Sequence, residues 1–272
     1  MPFDRDGFLG KDALKMAEQI RENHKELFEI CYEINRLAQK TKNEVAFNGQ
    51  HTQAHYAALF FIRIIECSQA AIILIERGFY SQASIILRTA FETFVYLIHC
   101  VDDKDFYKEY LEYSNIGMLK DLKMVLEDKI YEKDKRWGGA EKVKEEISEL
   151  EGKFPNKKRN EIKKKFSKKK LAENAGMLDS YRSFYSVTSD HVHTGIAALH
   201  KPVELDKNRD LFLINHGPSD TNARENLVMA AAFEVNALLC ACKLFGIDKN
   251  SEIQKYRERL KEYGPSTFPL SS

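Results

Sequence analysis

The centre of the fold is encoded by residues 57–99, AALFFIRIIECSQAAIILIERGFYSQASIILRTAFETFVYLIH. Apolar side chains surround both halves of this stretch, so each half predicts a helix that is buried on nearly all sides. Gly78 lies between the halves, and glycine readily takes the left-handed conformation that commonly ends a helix. Because only Arg77-Gly-Phe-Tyr80 joins them, we expect the two helices to form an antiparallel hairpin at the centre of a bundle.

Further helices are predicted on both sides of this hairpin. Upstream, apolar residues recur every three or four positions from Asp12 and predict one long helix that ends near Thr41. The stretch Leu211-Phe-Leu-Ile214 is either a short strand or a packed loop. The remaining pattern predicts helices over residues 52–76, 81–100 (with Ser81 as N-cap), 105–130, 178–193, 222–245 and 251–263. The predicted fold class is therefore all-α, a multi-helix bundle.

The amino-acid composition agrees with an all-α fold class, and the sequence also bears on the cellular location of the protein. Hydrophobic residues make up 43% and charged residues 31% of the chain, with 13 Gly and 6 Pro, which is typical of long amphipathic helices. The richest apolar stretch, 57–75, is interrupted by Arg63, Glu66 and Gln69, so we expect no membrane span. Five cysteines without CxxC spacing, and no secretory signal at the start, predict reduced thiols in a cytoplasmic protein.

Residues 137–170 differ from the rest of the chain because Lys and Glu dominate them. We predict that they form a projecting, Lys-rich helical arm inserted into one bundle domain, which comprises residues 1–136 and 171–272. A solvated helix face would explain its charge, and contact with RNA or DNA phosphate is the competing interpretation. Between Asn156 and Lys170 the single acid is Glu161, and the candidate nucleic-acid-binding residues are Lys157, Lys158, Arg159, Lys163, Lys164, Lys165, Lys168, Lys169 and Lys170.

Ionisable side chains interrupt the apolar hairpin helices at a few positions. At about 100° per residue, Arg88, Glu92 and His99 fall within roughly 40° of one another on the second helix. Arg63 and Glu66 form a further i,i+3 pair on the first helix. Because unpaired charges in a core cost several kcal/mol, these groups must be paired, solvated by a pocket, or facing a partner.

A second polar stripe follows near residue 190. Arg182, Tyr185, Ser189 and His193 are spaced by 3, 4 and 4 residues and so share one face of a helix. If the helices pack side by side, the stripes line one cavity in the bundle core, where helical bundles commonly place their sites. The alternative is a structural network of buried polar groups. We predict no metal ion and no cofactor, because His191-Val-His193 splays its imidazoles on a helix and no HExxH, Walker, GxGxxG or GxSxG motif is present.

These two motifs resemble those of DUF5677, a bacterial family of uncharacterised proteins. The resemblance covers about residues 55–245 without the Lys-rich arm. It is carried by Gly78-Phe-Tyr…Leu87-Arg88-Thr-Ala-Phe-Glu92 and by Tyr185-Ser-Val-Thr-Ser189-Asp-His-Val-His193. It implies a helical fold and a shared polar site. It brings no established reaction.

The combination of Arg and His also invites comparison with the HEPN ribonucleases, helical proteins that use an Arg-x4–6-His motif without metal. Here the spacing from Arg182 to His193 is longer, and the only match, Arg209-x6-His216, lies in an irregular stretch. Our first prediction is nevertheless a metal-independent ribonuclease in phage defence or stress. His193 would be the general base, and Arg88 or Arg182 would stabilise the phosphorane.

Our second prediction belongs to a different class of protein. According to this prediction, the polar stripes only specify how the helices pack. The chain is then a non-catalytic binding or assembly module that forms a homo-oligomer, and we expect a dimer. The two predictions differ in whether the polar groups can reach solvent and a ligand.

Overall fold

The computed structural model describes residues 6–47, 49, 51–185, 188, 203–205, 211–214 and 217–263. The all-α fold class is confirmed. A two-stranded antiparallel ribbon of β1 (Val203–Leu205) and β2 (Leu211–Ile214) makes Leu211-Phe-Leu-Ile214 a strand. Within the described residues are twelve helices: α1 (Lys11–Asn23), α2 (Lys25–Glu44), α3 (Gln53–Glu76), α4 (Tyr80–Asp102), α5 (Phe106–Glu127), α6 (Ile130–Lys133), α7 (Ala140–Lys153), α8 (Asn156–Lys165), α9 (Lys168–Asn174), α10 (Leu178–Ser180), α11 (Ala223–Phe245) and α12 (Asn250–Lys261).

The main core is built by α3 and α4, as the sequence indicates, together with α11 and α2. Helix α11 is rich in alanine, and these small side chains let its neighbours pack closely against it. The Phe233 ring on α11 lies 6.2 Å from the ring of Phe91 and 6.3 Å from that of Phe94, both on α4. Each fully buried phenylalanine contributes on the order of 1.5–3 kcal/mol to stability. Long-range aromatic packing therefore fixes α11 against the hairpin.

The turn between α3 and α4 depends on Gly78. Its φ of 77° is left-handed, and the amides of Gly78 and Phe79 donate to carbonyls of the last turn of α3 at 2.9 and 2.8 Å. A Cβ at this position would lie only 2.7 Å from the Ser219 nitrogen. Helix α4 begins at Tyr80, so the prediction of Ser81 as its N-cap was wrong. The glycine turn already redirects the chain, and Ser81 lies inside the helix.

The prediction of one continuous helix from Asp12 to near Thr41 was also wrong. The helix breaks at His24, which has φ −122° and ψ 23°. The imidazole of His24 lies 2.6 Å from the Asp220 carboxylate, and Asn23 donates to the same group at 3.1 Å. The break therefore occurs where Asn23 and His24 contact the loop before α11. The spacing of apolar residues in the sequence gives no indication of this contact.

The Lys-rich segment is helical, as predicted, and its helices α7 and α8 extend the bundle along α5. Its apolar residues make a second, smaller core, in which Leu119 and Leu122 of α5 pack with Val143, Leu150 and Phe154. Phe166 and Leu171 farther along join the main core. The segment is thus anchored along its length by its few apolar side chains.

Three helices, α3, α4 and α11, are long and apolar enough to cross a membrane by length and composition alone. This differs from the expectation that we based on uninterrupted apolar runs. More than half of the most apolar window of each helix is buried within the protein. Much of their apolar surface is therefore used to pack helix against helix.

Candidate functional site

A polar cluster forms where α4 meets the turn after α10, and Arg88 is its centre. Arg88 Nη2 donates a hydrogen bond of 2.6 Å to the hydroxyl of Tyr185. Its guanidinium carbon also lies 4.1 Å from the centroid of the tyrosine ring, within the range of a cation–π interaction. The Arg88 side chain is only 12% exposed, so these contacts are made with little water nearby.

Glu92 extends the cluster along α4. Its Oε1 lies 3.5 Å from Arg88 Nε, and its Oε2 lies 2.8 Å from Nζ of Lys168, at the start of α9. Lys168 Nζ also donates to the hydroxyl of Tyr96 at 2.6 Å. Two cations thus share one carboxylate, which leaves one positive charge in excess within the cluster.

Burial sets the protonation of these groups. It raises the pKa of the Tyr185 phenol, although the hydrogen bond from Arg88 opposes the change, so Tyr185 is neutral at physiological pH. For Lys168, burial opposes the charged form, but Tyr96 and Glu92 outweigh it and raise the pKa of the ammonium group. Lys168 therefore stays charged throughout the physiological range.

The contacts described above do not involve one nitrogen of the Arg88 guanidinium group, Nη1. Arg88 Nη1 is buried and has no hydrogen-bond partner among the residues that the structure describes. Arginine cannot escape this situation by losing its proton, and an unsatisfied buried donor costs about 1–3 kcal/mol. The cluster therefore offers one charged, desolvated N–H donor for an acceptor oxygen, such as that of a phosphate or a carboxylate.

Tyr185 reaches this cluster from a π-helical turn, Tyr181–Tyr185, that continues α10. The rings of Tyr181 and Tyr185 stack with centroids 4.7 Å apart and an interplanar angle of 18°. Short π-helical turns are rare and occur frequently at functional sites. The regular α-helical spacing that the sequence analysis assumes for this stretch therefore does not hold from Tyr181 to Tyr185.

Of the other predicted members of the second stripe, Arg182 is described and does not join the cluster. Arg182 has a 64% exposed side chain and lies 3.9 Å from Asp179 on the surface. Ser189 and His193 lie outside the described residues. Their part in the site stays a prediction.

The remaining polar residues of the hairpin have structural roles. The His99 ring lies 2.9 Å from the carbonyl oxygen of Leu171 through Nε2 and stacks on Phe106 at 5.1 Å. Arg63 and Glu66 pair with each other at 3.4 Å, and both side chains are 58% exposed. The expectation that this pair lines a shared cavity was therefore wrong, because their side of α3 faces solvent.

Four of the nine candidate nucleic-acid-binding residues are neutralised by acids. The paired ones are Lys158 with Glu112 at 2.7 Å, Lys165 with Glu109, Lys168 with Glu92, and Lys170 with Glu173 at 2.9 Å. Arg159 donates to the side chain of Asn156. Among these nine residues, the exposed lysines with no acidic partner in the described part of the chain are Lys157, Lys163, Lys164 and Lys169. The predicted nucleic-acid contact depends most on these four.

Among the described residues, no three His, Cys, Asp or Glu side chains are grouped so that they could hold a metal ion. Asp190, His191 and His193 lie outside those residues.

Comparison with protein families places the cluster in context. Residues 54–210 match the family model of DUF5677, a family of unknown function. The chain belongs to DUF5677. A search of curated proteins and a search of solved structures each found no match. The bounds of this match enclose every member of the cluster, from Arg88 and Glu92 to Lys168 and Tyr185.

Two residues of this DUF5677 protein were missed by sequence reasoning. Lys168 was assigned to the basic segment, and nothing in its neighbourhood of lysines distinguishes the one that pairs with Glu92. Glu234 on α11 is fully buried, and neither of its carboxylate oxygens has a partner among the described residues. Burial raises its pKa to about 8. A single acid within Ala-Ala-Ala-Phe-Glu-Val was a signal that could have found it.

Proposed function

We propose that the cluster of Arg88, Glu92, Lys168 and Tyr185 binds a phosphate of RNA within a metal-independent ribonuclease site. The observation that carries this proposal is the unpartnered, buried Nη1 of Arg88. The excess positive charge of the cluster favours an anion over a neutral ligand. A phosphate oxygen would accept from Nη1 while Tyr185 continues to hold Nη2.

In the proposed reaction, His193 acts as the general base that sequence analysis predicts. It removes the proton of a 2′-hydroxyl, the 2′-oxygen forms a bond to phosphorus, and the bond from phosphorus to the 5′-oxygen breaks. The leaving oxygen takes a proton from water, which gives a 2′,3′-cyclic phosphate and a 5′-hydroxyl end. Arg88 stabilises the added negative charge of the phosphorane, a contribution that is largest where water is excluded.

The free lysines of the basic segment would hold the strand through its phosphates. Such contacts release counterions, so binding weakens as salt is raised and does not depend on sequence. The setting that we propose is the bacterial cytoplasm, with a role in phage defence or stress. All five cysteines are free thiols, which is compatible with a reducing compartment.

The test is incubation with total RNA at low salt in the presence of EDTA, comparing the wild type with His193→Ala and Arg88→Ala. Arg63→Ala is the matched control, because it removes an arginine that is exposed on α3. We expect wild-type and control cleavage that leaves cyclic phosphate ends, and a loss of about 100-fold or more in both site variants. Equal cleavage by all proteins, no cleavage by any, or cleavage abolished by EDTA would each contradict the proposal.

A second candidate function, assembly into a homodimer, is favoured by apolar side chains on the solvent face of α3. Leu59 is 46% and Ile73 is 61% exposed, and both are large aliphatic residues. A dimer would remove them from water. Sedimentation analysis of the wild type and of Leu59→Asp/Ile73→Asp tests this candidate: a dimer that the double variant converts to monomer supports it, and a wild-type monomer excludes it.

A further inference from the structure

A groove of about 830 Å³ lies beside α5, and Arg88 is not among the residues that line it. Its lining comes from helix α5, from Trp137 and from the junction of α8 and α9. The residues that determine its chemistry are Tyr113, Gly117, Lys120, Trp137, Lys163 and Phe166.

Gly117 contributes only backbone to the α5 side of the groove. It lies in the interior of α5, where glycine costs about 1 kcal/mol relative to alanine. A Cβ at this position would meet no atom within 4 Å, so no packing contact in the described structure requires the glycine. The absence of a side chain instead leaves room for something to approach the helix backbone.

Two aromatic side chains of the lining, Tyr113 and Trp137, are partly exposed. The buried ring of Phe166 lies between the rings of Phe106 and Tyr113, with centroid distances of 5.6 and 4.7 Å, and so supports Tyr113 from behind. Trp137 is the only tryptophan of the chain. Aromatic side chains beside an open, flat surface are the usual platform for an unpaired nucleobase, and stacking there tolerates any base.

The charge of the groove complements a phosphate. Lys120 and Lys163 are exposed and have no acidic partner among the described residues, whereas Asp121 is the single acid of the lining. Two free cations and one acid leave the groove with one positive charge in excess. Lys168 also lines the groove, but its ammonium group is already paired with Glu92.

From these observations we infer that the groove binds single-stranded nucleic acid, with an unpaired base over Gly117 beside Trp137 and the adjoining phosphates near Lys120 and Lys163. Lys168 connects the groove to the polar cluster, since its side chain lines the groove and its Nζ lies 2.8 Å from Glu92. The inference rests on the proposed function in one respect, namely that the bound strand continues toward Arg88. Binding itself requires no cleavage.

Trp137 supplies the readout. Stacking of a base on the indole should quench its fluorescence, so we would titrate the protein at low salt with an eight-nucleotide single-stranded RNA and follow both tryptophan emission and anisotropy of the labelled strand. Gly117→Leu places a side chain in the open space of the groove and favours the helix. Gly152→Leu is the matched control, because Gly152 also lies in a helix, a Cβ there would likewise meet no atom within 4 Å, and the residue is absent from the groove.

We expect quenching with the wild type and with Gly152→Leu, and at least a 10-fold loss of affinity with Gly117→Leu. A single-stranded DNA of the same sequence should quench as well, whereas a duplex should bind much more weakly. Binding without quenching, equal binding by Gly117→Leu, equal binding of duplex, or a mononucleotide that binds as tightly as the strand would each overturn the inference.

The two proposals can fail separately. Arg88→Ala should abolish cleavage and leave quenching intact. Quenching without any RNA cleavage by the wild type would remove the ribonuclease proposal and support the groove, whereas cleavage that Gly117→Leu and Gly152→Leu perform equally would remove the groove and keep the ribonuclease proposal.

Discussion

Replacing Glu234 by glutamine should stabilise the protein near neutral pH and remove a specific part of its pH dependence. The carboxyl group is fully buried on α11, and neither oxygen has a hydrogen-bond partner among the described residues. Burial alone raises its pKa, and the carboxyl group in turn raises the pKa of the buried thiol of Cys31 on α2. Among the described residues, no cation offsets the cost of ionising Glu234.

The size and sign of this pH dependence of stability follow from the pKa of Glu234, which rises from 4.5 to about 8 on folding. Below pH 4.5 the group is protonated in both states and contributes no pH dependence. Between pH 4.5 and pH 8 the unfolded chain has lost a proton that the folded protein still holds, so stability falls by about 1.4 kcal/mol per pH unit. The accumulated loss is about 3 kcal/mol at pH 7 and levels off above pH 8, where both states are ionised.

The assay is urea unfolding followed by circular dichroism at pH 5, 6, 7 and 8, for the wild type, Glu234→Gln and the control Glu66→Gln, whose side chain is exposed. Every other titration cancels in the difference between two proteins. We expect the advantage of Glu234→Gln over the wild type to grow by about 2–3 kcal/mol from pH 5 to pH 7, which is a shift of about 1 M urea in the midpoint. Parallel pH profiles of the two proteins would refute the reasoning.

Three further substitutions test the packing around the hairpin and the cluster. Gly78→Ala should lower the free energy of unfolding by more than about 1 kcal/mol, because φ is positive and a Cβ would lie 2.7 Å from a backbone nitrogen; an unchanged melting temperature would contradict this. Tyr185→Phe keeps the ring but leaves a second nitrogen of Arg88 unpaired, so urea unfolding should show a loss of about 1–2 kcal/mol, and a stabilised variant would count against the hydrogen bond. Lys168→Met removes one of the two cations of Glu92 and should cost about 1 kcal/mol at low salt, measured by thermal unfolding, with a smaller loss expected when Glu92→Gln is already present, because the hydrogen bond from Lys168 to Tyr96 then remains the main contact removed.

Helical periodicity accounts for the part of the site that sequence could anticipate. Arg88 and Glu92 are four residues apart on one helix, and their 3.5 Å contact follows from that spacing alone. The hairpin itself follows from one glycine between two apolar runs. These features are local, so a few neighbouring residues determine them.

The features that sequence reasoning missed depend on residues far apart in the chain. The break at His24 coincides with its contact with Asp220, 196 positions away. The partner of Glu92, Lys168, is one lysine among nine basic residues, and only the packing of α9 against α4 distinguishes it. The π-helical turn that carries Tyr185 likewise has no marker in the apolar pattern.

Glu234 and Arg88 each have a buried polar atom without a hydrogen-bond partner in the described structure. The consequences for stability differ, because a carboxyl group and a guanidinium group respond differently to burial. A carboxyl group can relieve the cost of burial by keeping its proton, and the raised pKa of Glu234 is the sign that it does so. A guanidinium group has no such escape, since it stays protonated at any pH that the protein survives. The unpartnered nitrogen of Arg88 must therefore be matched by an acceptor or be held at a continuing cost to stability. For this reason Arg88, and not the more deeply buried Glu234, is the residue from which a ligand is inferred.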